Sequence, residues 1–408
     1  MLNALEQGVR GGKWFSLIDK VSSKKALRAS HEKVRRNGGA AGVDQETTEE
    51  FEQQAEARIT KLSEELKRGV YRPDPVKRTW LPKPGTKERR PLGIPTVSDR
   101  VVQGSLRLVL EPIFEKDFAE QSYGFRPARS CKDALRRLSE LLRAKYTWVV
   151  DADIKGYFDT IPKEKLMKKI EEKIADGRVL DLLRLYLEQG VMEGLKQWTP
   201  ERGTPQGAVI SPLLSNIYLD ELDHEMAARG YQMIRYADDI VIVCQTQVEA
   251  EEALEFVREW MKRADLTLHP EKTRIVDAMQ RGGFDFLGYH FERGYKWPRQ
   301  KSIKKFRGKI KNKTMRVNGN SLNETIAQIN PIIRGWFEYF KHSIGNELEK
   351  LDGWIRMRLR SILRKRHGGK GRGGGLDHIK WTNSYFAEQG LFSMFAARAL
   401  IVQSRKRG

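Results

Sequence analysis

Over the first 70 residues polar and apolar positions alternate at helical spacing, with a glycine-rich break at Asn37–Asp44. From Val76 to Pro95 the runs shorten and prolines punctuate them. Trp80-Leu81-Pro82-Lys83-Pro84-Gly85 and Arg89-Arg90-Pro91-Leu92-Gly93-Ile94-Pro95 predict two β arms around a Gly/Lys turn. Helical spacing returns over 98–118 and 128–144. Trp148–Ile154 reads as a short buried strand, and Pro162 opens a helical stretch to about Gln189. A strand pair centres on Arg235–Val243, with two aspartates set among β-formers. A Glu-rich helix over 248–263 and a short hairpin at Phe284–Phe291 follow. Strands and helices alternating in this way predict an α/β (α+β) chain, its sheet covered by helices on one face.

The last third reads as helical. Ser321-Leu322-Asn323-Glu324 has the form of a capping box ahead of a helix over 322–342. Leu348, Leu351, Ile355, Leu359 and Ile362 predict another over 348–366, flanked by Arg356, Arg358, Arg360, Arg364, Lys365 and Arg366. One face should pack and the other be cationic. Trp336, Tyr339 and Phe340 share a helical spacing and read as core, and Gly368–Gly375 as a loop.

Charge sharpens this division. The 408 residues carry a net +21, but residues 1–290 hold 48 Lys/Arg against 46 Asp/Glu, and residues 291–408 hold 27 against 8. A near-neutral body followed by a basic module is the footprint of a polyanion partner, usually nucleic acid. The two cysteines, Cys131 and Cys244, form no CxxC pair and the seven histidines are scattered, so neither a disulfide framework nor a Cys-type zinc site is supported. No signal-peptide layout opens the chain and no apolar run approaches about 18 residues. A cytoplasmic chain without membrane association is expected.

Three acids invite a metal. Asp153 ends a predicted strand, and Asp238 and Asp239 lie at a strand–turn–strand among β-formers. Adjacent carboxylates in an apolar frame raise each other's pKa unless a counter-charge is present. Mg²⁺ is the natural one, since it prefers oxygen ligands and binds through a few carboxylates plus substrate phosphates. Two such ions about 4 Å apart activate an attacking hydroxyl and stabilise a leaving oxygen in phosphoryl transfer.

Tyr236-Ala237-Asp238-Asp239 resembles the YxDD signature of reverse transcriptases, and Asp153-Ile154-Lys155-Gly156-Tyr157-Phe158 their first catalytic motif. Gly203–Leu214, with Pro205-Gln206-Gly207 and Ser211-Pro212, is similar to the PQG-x-x-x-SP motif, and Leu268–Thr273 and Phe286-Leu287-Gly288 resemble the two that follow. Gly42-Val43-Asp44, Arg90–Pro95, Ser122–Pro127, Asn330–Phe337 and Trp381–Phe386 narrow the resemblance to proteins encoded by bacterial group II introns, the last two to their maturase (X/thumb) domain.

That resemblance implies a right-hand polymerase of fingers, palm and helical thumb. It divides the chain into an N-terminal extension (1–75), fingers (76–145), palm (146–295), basic thumb/maturase domain (296–380) and basic tail (381–408). It also implies RNA-directed DNA synthesis with two Mg²⁺ ions (Mn²⁺ a substitute) and maturase activity in splicing and mobility of a group II intron RNA. The partners would be that RNA, a primed RNA template with a DNA or RNA primer, deoxynucleoside triphosphates and a DNA target. Many relatives carry a C-terminal DNA endonuclease of Cys/His type. With two cysteines and 408 residues this chain is expected to lack it and to take its primer from another source. Two alternatives are an RNA-binding maturase with incidental polymerase activity and a diversity-generating or retron-type reverse transcriptase.

The resemblance makes Asp153 and Asp238 metal ligands, with the Ile154 carbonyl an extra oxygen and Asp239 completing the site. Phe158, at the steric-gate position, would exclude a ribose 2′-OH. Lys83 and Arg90, with Arg89 a rival, would clamp the triphosphate, Gln206 would contact nucleotide or template, and Lys272 would either protonate the leaving pyrophosphate or act on it by charge alone. Arg126, Arg356, Arg360 and Arg364 are the expected RNA contacts.

Overall fold

The computed structural model describes residues 12–82, 89–204, 207–317 and 319–407, with side chains to 403. Two compact units divide the chain between Ile275 and Val276.

In the first unit, β3 (Trp148–Asp153) lies beside β7 (Asp239–Cys244), and β6 (Gln232–Tyr236) on the far side of β7. With β8 (Arg274–Asp277) the order is β6-β7-β3-β8. Val149 and Val150 pair with Val243 and Ile242, so the strand interiors are apolar and buried. The Ser211–Ala228 helix is buried around most of its circumference, which gives its sequence no amphipathic stripe. A second sheet, ordered β2-β1-β4-β5, contains the expected arms β1 (Val76–Pro82) and β2 (Arg89–Ile94). Beside them stand β4 (Val191–Glu193) and β5 (Lys196–Trp198).

The helical stretch expected from Pro162 to Gln189 is two helices, Lys163–Glu171 and Gly177–Leu187. Asp176 caps the second, accepting from Arg178 and Val179 N–H, and its other oxygen accepts from Leu17 N–H at 2.6 Å. The break therefore ties the N-terminal segment down.

In the second unit, β9 (Phe284–Phe286), β10 (Tyr289–Glu292) and β11 (Tyr295–Pro298) form an antiparallel sheet followed by helices Gln300–Lys313, Leu322–Phe340 and Gly345–Arg366. The sequence placed residues up to 295 with the palm. By contact, this small sheet packs on the C-terminal helices: Tyr289 Oη donates to the Tyr339 carbonyl (2.6 Å), and Tyr339 Oη to that of Leu287 (2.7 Å). Ile303, Phe306, Ile329, Ile333, Phe337, Leu351, Ile355 and Leu359 form the core. Buried Asp352 accepts from Met394 and Phe395 N–H at 3.2 and 3.0 Å, capping the last helix.

Candidate active site

Sheet register sets the acids. Asp153 pairs across the β3/β7 ladder with Asp239, and Tyr236 with Asp239, leaving Ala237-Asp238 as a two-residue turn. Ala237 holds φ +58°, a left-handed conformation that a side chain adopts at a cost. The surroundings enforce it. Arg235 is fully buried; its Nη1 donates to the Ala237 carbonyl and to Asn216 Oδ1, both at 3.0 Å, and its Nη2 to Ser122 Oγ at 2.8 Å. Its Nε donates to Asp223 Oδ1 at 2.7 Å, and Nη2 also meets Asp223 Oδ2. Asn216 Nδ2 in turn donates to the Gly124 carbonyl (2.8 Å). A Cβ at Gly124 would fall 2.2 Å from Ala237 N, so only glycine permits this approach.

Residues 266–272 run alongside β3. His269 N–H donates to the Asp153 carbonyl (2.7 Å) and Lys155 N–H to that of Thr267 (2.9 Å), which brings Lys272 Nζ onto Asp153 Oδ2. Burial, and then the neighbouring charge of Asp153, push the Asp238 carboxyl above its ordinary range, while Lys272 and Arg235 oppose the shift. The charge of Asp153 thus acts on Asp238 in a partly desolvated site, where a divalent cation fits as counter-charge. The Lys272 ammonium occupies one such cationic position at Asp153. Among the described residues no three His, Cys, Asp or Glu side chains gather closely enough to ligate one ion by themselves. Ile154 is buried and bridges to Leu268, and Asp239 is exposed.

Gly156, with φ +59°, starts the Tyr157–Thr160 turn of helix. Tyr157 is buried and its hydroxyl donates to the Ser215 carbonyl at 2.7 Å. Phe158 is half-buried between Tyr157 and Phe125, with ring centroids at 5.6 and 6.3 Å. Gly207 (φ +105°) has no room for a Cβ, which would fall 2.3 Å from the Gly93 carbonyl. Arg90 and Arg89 are both exposed on β2. Lys83 and Gln206 lie outside the described residues.

Two expected RNA contacts are corrected by depth. Arg126 is buried: Nε and Nη2 engage Glu115, and Nη1 donates to the Ala119 and Ser122 carbonyls at 2.6 and 3.0 Å. Arg360, 3% exposed, donates to the Trp381 carbonyl (2.8 Å) and Asn383 Oδ1 (3.0 Å) above the Phe386 ring. Both hold loops, and neither presents a charge to solvent. Arg364, partly exposed, is tied to Asp377 at 2.7 Å and to the Lys370 carbonyl. Arg356 is half-buried. The outward cations lie elsewhere, on Gln300–Lys313, where Lys301, Lys304, Lys305, Arg307, Lys309 and Lys311 are exposed opposite Ile303, Phe306 and Ile310. That helix contains no acid, a pattern readable from the sequence.

A two-aspartate hairpin on an antiparallel sheet, faced by a lysine and an aromatic turn, belongs with template-copying polymerases. Residues 81–291, just over half the chain, match the family described as reverse transcriptase (RNA-dependent DNA polymerase), and the chain belongs to that family. Residues 303–381 match the maturase-specific domain of group II introns. The group II intron-encoded protein LtrA of Lactococcus lactis subsp. cremoris is 41% identical over 189 residues, 46% of this chain and 31% of LtrA. Protein YkfC of Escherichia coli (strain K12) is 36% identical over 272 residues, 57% of this chain and 70% of YkfC. The chain thus spans about a third of LtrA's length. Among solved structures, a chain of a partial Cas6-RT-Cas1–Cas2 complex aligns over 61% of this chain and 41% of its own, at 23% identity and TM-score 0.38. That likeness is too distant to carry anything over. Among the described residues no helix is long and apolar enough to cross a membrane.

Proposed function

We propose that the chain is an RNA-directed DNA polymerase that also serves as maturase for a group II intron RNA. The family match over 81–291 and the approach of Asp153 to Asp238 at the hairpin carry this reading. Asp153 and Asp238, with Asp239 and the Ile154 carbonyl, would hold Mg²⁺, with Mn²⁺ as substitute. The metal would activate the primer hydroxyl and stabilise the leaving pyrophosphate. Lys272, exposed and within reach of Asp153, is the proton donor to that pyrophosphate. Arg90 clamps the incoming triphosphate from β2, assisted by Lys83, while Gln206 contacts nucleotide or template. The Phe158 ring, backed by Phe125 and Tyr157, meets the 2′ position of the sugar and selects deoxynucleotides.

In this reading 76–145 are fingers and 146–275 palm, each acting on primed RNA and deoxynucleotides in the cytoplasm, with a DNA target as the eventual acceptor. The second unit grips the intron RNA through the cations of Gln300–Lys313. An RNA-binding maturase with incidental polymerase activity is the second reading, favoured by the maturase-specific match at 303–381. Purified protein given primed RNA, deoxynucleotides and Mg²⁺ separates the two. Template-length DNA by the wild type, lost in Asp153→Asn, supports the polymerase; RNA binding without any extension supports the other.

A further inference from the structure

We propose that a cavity beside the candidate active site receives one unpaired base of the RNA strand being copied, the base next in line after the one being read. This rests on the template-copying reading above. The cavity measures about 280 Å³, at the small end for ligand sites and suited to a single ring system. Its lining includes Arg78 of β1, Trp198 of β5, Gln189, Asp159 and Thr204.

Gln189 and Thr204 are 5% and 2% exposed. Among the described residues Gln189 Oε1, Thr204 Oγ1 and Arg78 Nε are enclosed and make no hydrogen bond. Folded proteins leave few such groups, and three around one cavity call for an occupant. They offer an acceptor, a donor and a hydroxyl that is both, which matches the mixed edge of a nucleobase. A phosphate carries acceptors only; Arg78 and Arg202 in the lining would attract it, but the Asp159 carboxylate and the Gln189 oxygen would oppose it, whereas a base edge uses donors and acceptors alike. The Arg78 guanidinium stands 5.6 Å from the Trp198 ring centre, and Trp198 is 40% exposed. An arginine plane against a half-open tryptophan is the kind of stack that a splayed-out RNA base extends.

Placement identifies the strand. Thr204 N–H donates to the Phe158 carbonyl at 2.7 Å, and Gly203 N–H to that of Ile161 at 2.8 Å. A Cβ at Gly203 would fall 2.7 Å from the Phe158 carbonyl. One wall of the cavity is therefore packed on the peptide that carries the proposed sugar gate, while the Phe158 ring turns to Tyr157 and Phe125 and does not line it. Pro91 and Gly93, also in the lining, belong to β2, the arm bearing Arg90. A base entering here would pass the proposed gate on the side of the β arms, and of primer, incoming nucleotide and template only the template offers a strand with an unpaired base.

The test titrates wild-type protein, Trp198→Ala and Thr204→Val with primed RNA of three kinds: a one-nucleotide overhang, a two-nucleotide overhang, and a two-nucleotide overhang abasic at its outer position. The second base should tighten wild-type binding by roughly five- to a hundredfold, and the abasic template should lose that gain. Both variants should lose most of it. Thr204→Val should at the same time keep or raise the unfolding midpoint, because it removes an enclosed hydroxyl with no partner. A wild type indifferent to the abasic position overturns the proposal, as do variants weakened equally on both overhangs. Binding of free guanosine or adenosine monophosphate, abolished by Trp198→Ala without any overhang effect, assigns the cavity to a free nucleotide and also overturns it. Whether wild-type protein extends primed RNA at all is scored separately, so a failure of template copying is distinguishable from a failure of the cavity.

Discussion

Arg235 in the first unit and Arg360 in the second are both buried, yet they are held in opposite ways. Arg235 meets a carboxylate, Asp223, at zero exposure of both side chains, and the pair clamps the hairpin that carries Asp238. Arg360 is held by a carbonyl, an amide oxygen and an aromatic face, in a region where 27 cations meet 8 acids. In the neutral unit a buried charge is neutralised locally and shapes the site. In the basic unit buried charge serves as a hydrogen-bond donor that ties helix to loop. Arg358 does the same, donating to Thr314 Oγ1 and to its carbonyl, both at 2.6 Å. Charge count therefore overstates the outward cationic surface of the second unit, and the exposed lysines of Gln300–Lys313 carry more of it than the arginines of Gly345–Arg366.

The largest expected effect breaks the first unit's arrangement. Asp223→Ala leaves the Arg235 charge buried without its carboxylate, which should cost about 3–5 kcal/mol in denaturant unfolding. A cost below about 1 kcal/mol would show that Asn216 and the carbonyls suffice for Arg235.

The second unit is tested by salt. With six to ten phosphate contacts, affinity for structured RNA should fall roughly a thousandfold or more between about 50 and 200 mM salt. Replacing Lys304, Lys305 and Lys309 together with glutamine should flatten that slope by up to about three units. Arg360→Gln should leave the slope alone and lower stability instead; the reverse pattern returns the RNA grip to Gly345–Arg366.

A smaller effect sharpens the contrast through pH. Burial pushes the Asp99 carboxyl up to about 7, against bonds from Tyr71 Oη (2.5 Å) and Thr96 that favour its ionised form. The folded state then holds a proton that the unfolded chain releases near pH 4. The contribution is fully present below that value, is lost as pH rises toward about 7, and is level beyond. Asp99→Asn should flatten the stability profile between about pH 4 and 7 and raise stability at pH 8, by a few kcal/mol at most. An unchanged profile would mean that Asp99 is ionised in the fold throughout. The smallest effect is at Arg364. Its bond, and the Gly374 N–H, hold the Asp377 carboxyl below its ordinary range, so the slight stability lost in Arg364→Gln should be present at neutral pH and vanish in acid.

Much of this was legible in the sequence where local pattern and final environment agree. β3 and the β6/β7 hairpin were visible because their apolar runs end at turn residues, the β1/β2 arms because prolines punctuate short β-prone runs, and Trp336 and Phe340 pack at the core as their spacing indicated. The Ser211–Ala228 helix was visible only as a motif, since burial on nearly all sides removes the stripe that marks a helix. Arg126 and Arg360 were misread because sequence gives the sign of a charge and not its depth. Arg235 was overlooked beside the aspartates it serves. Its signal was an arginine inside a buried strand, but the Ser211–Ala228 helix offers Asp220, Glu221, Asp223 and Glu225, and sequence does not say which of them is its partner. That Gln189 Oε1 and Thr204 Oγ1 would be enclosed without a hydrogen bond could not be foreseen, because the cavity they line also draws on Arg78, more than a hundred residues before Gln189 along the chain.

The proposed division of labour puts chemistry at Asp153 and Asp238 and RNA grip on the other unit. Single-turnover nucleotide addition on saturating primed RNA, with folding of each variant verified by circular dichroism, tests it most directly. Asp238→Asn should slow addition roughly a thousandfold or more, while the Lys304/Lys305/Lys309 variant should match the wild-type rate. An Asp238→Asn protein that keeps its rate, or a lysine variant that loses chemistry at saturation, would contradict that division.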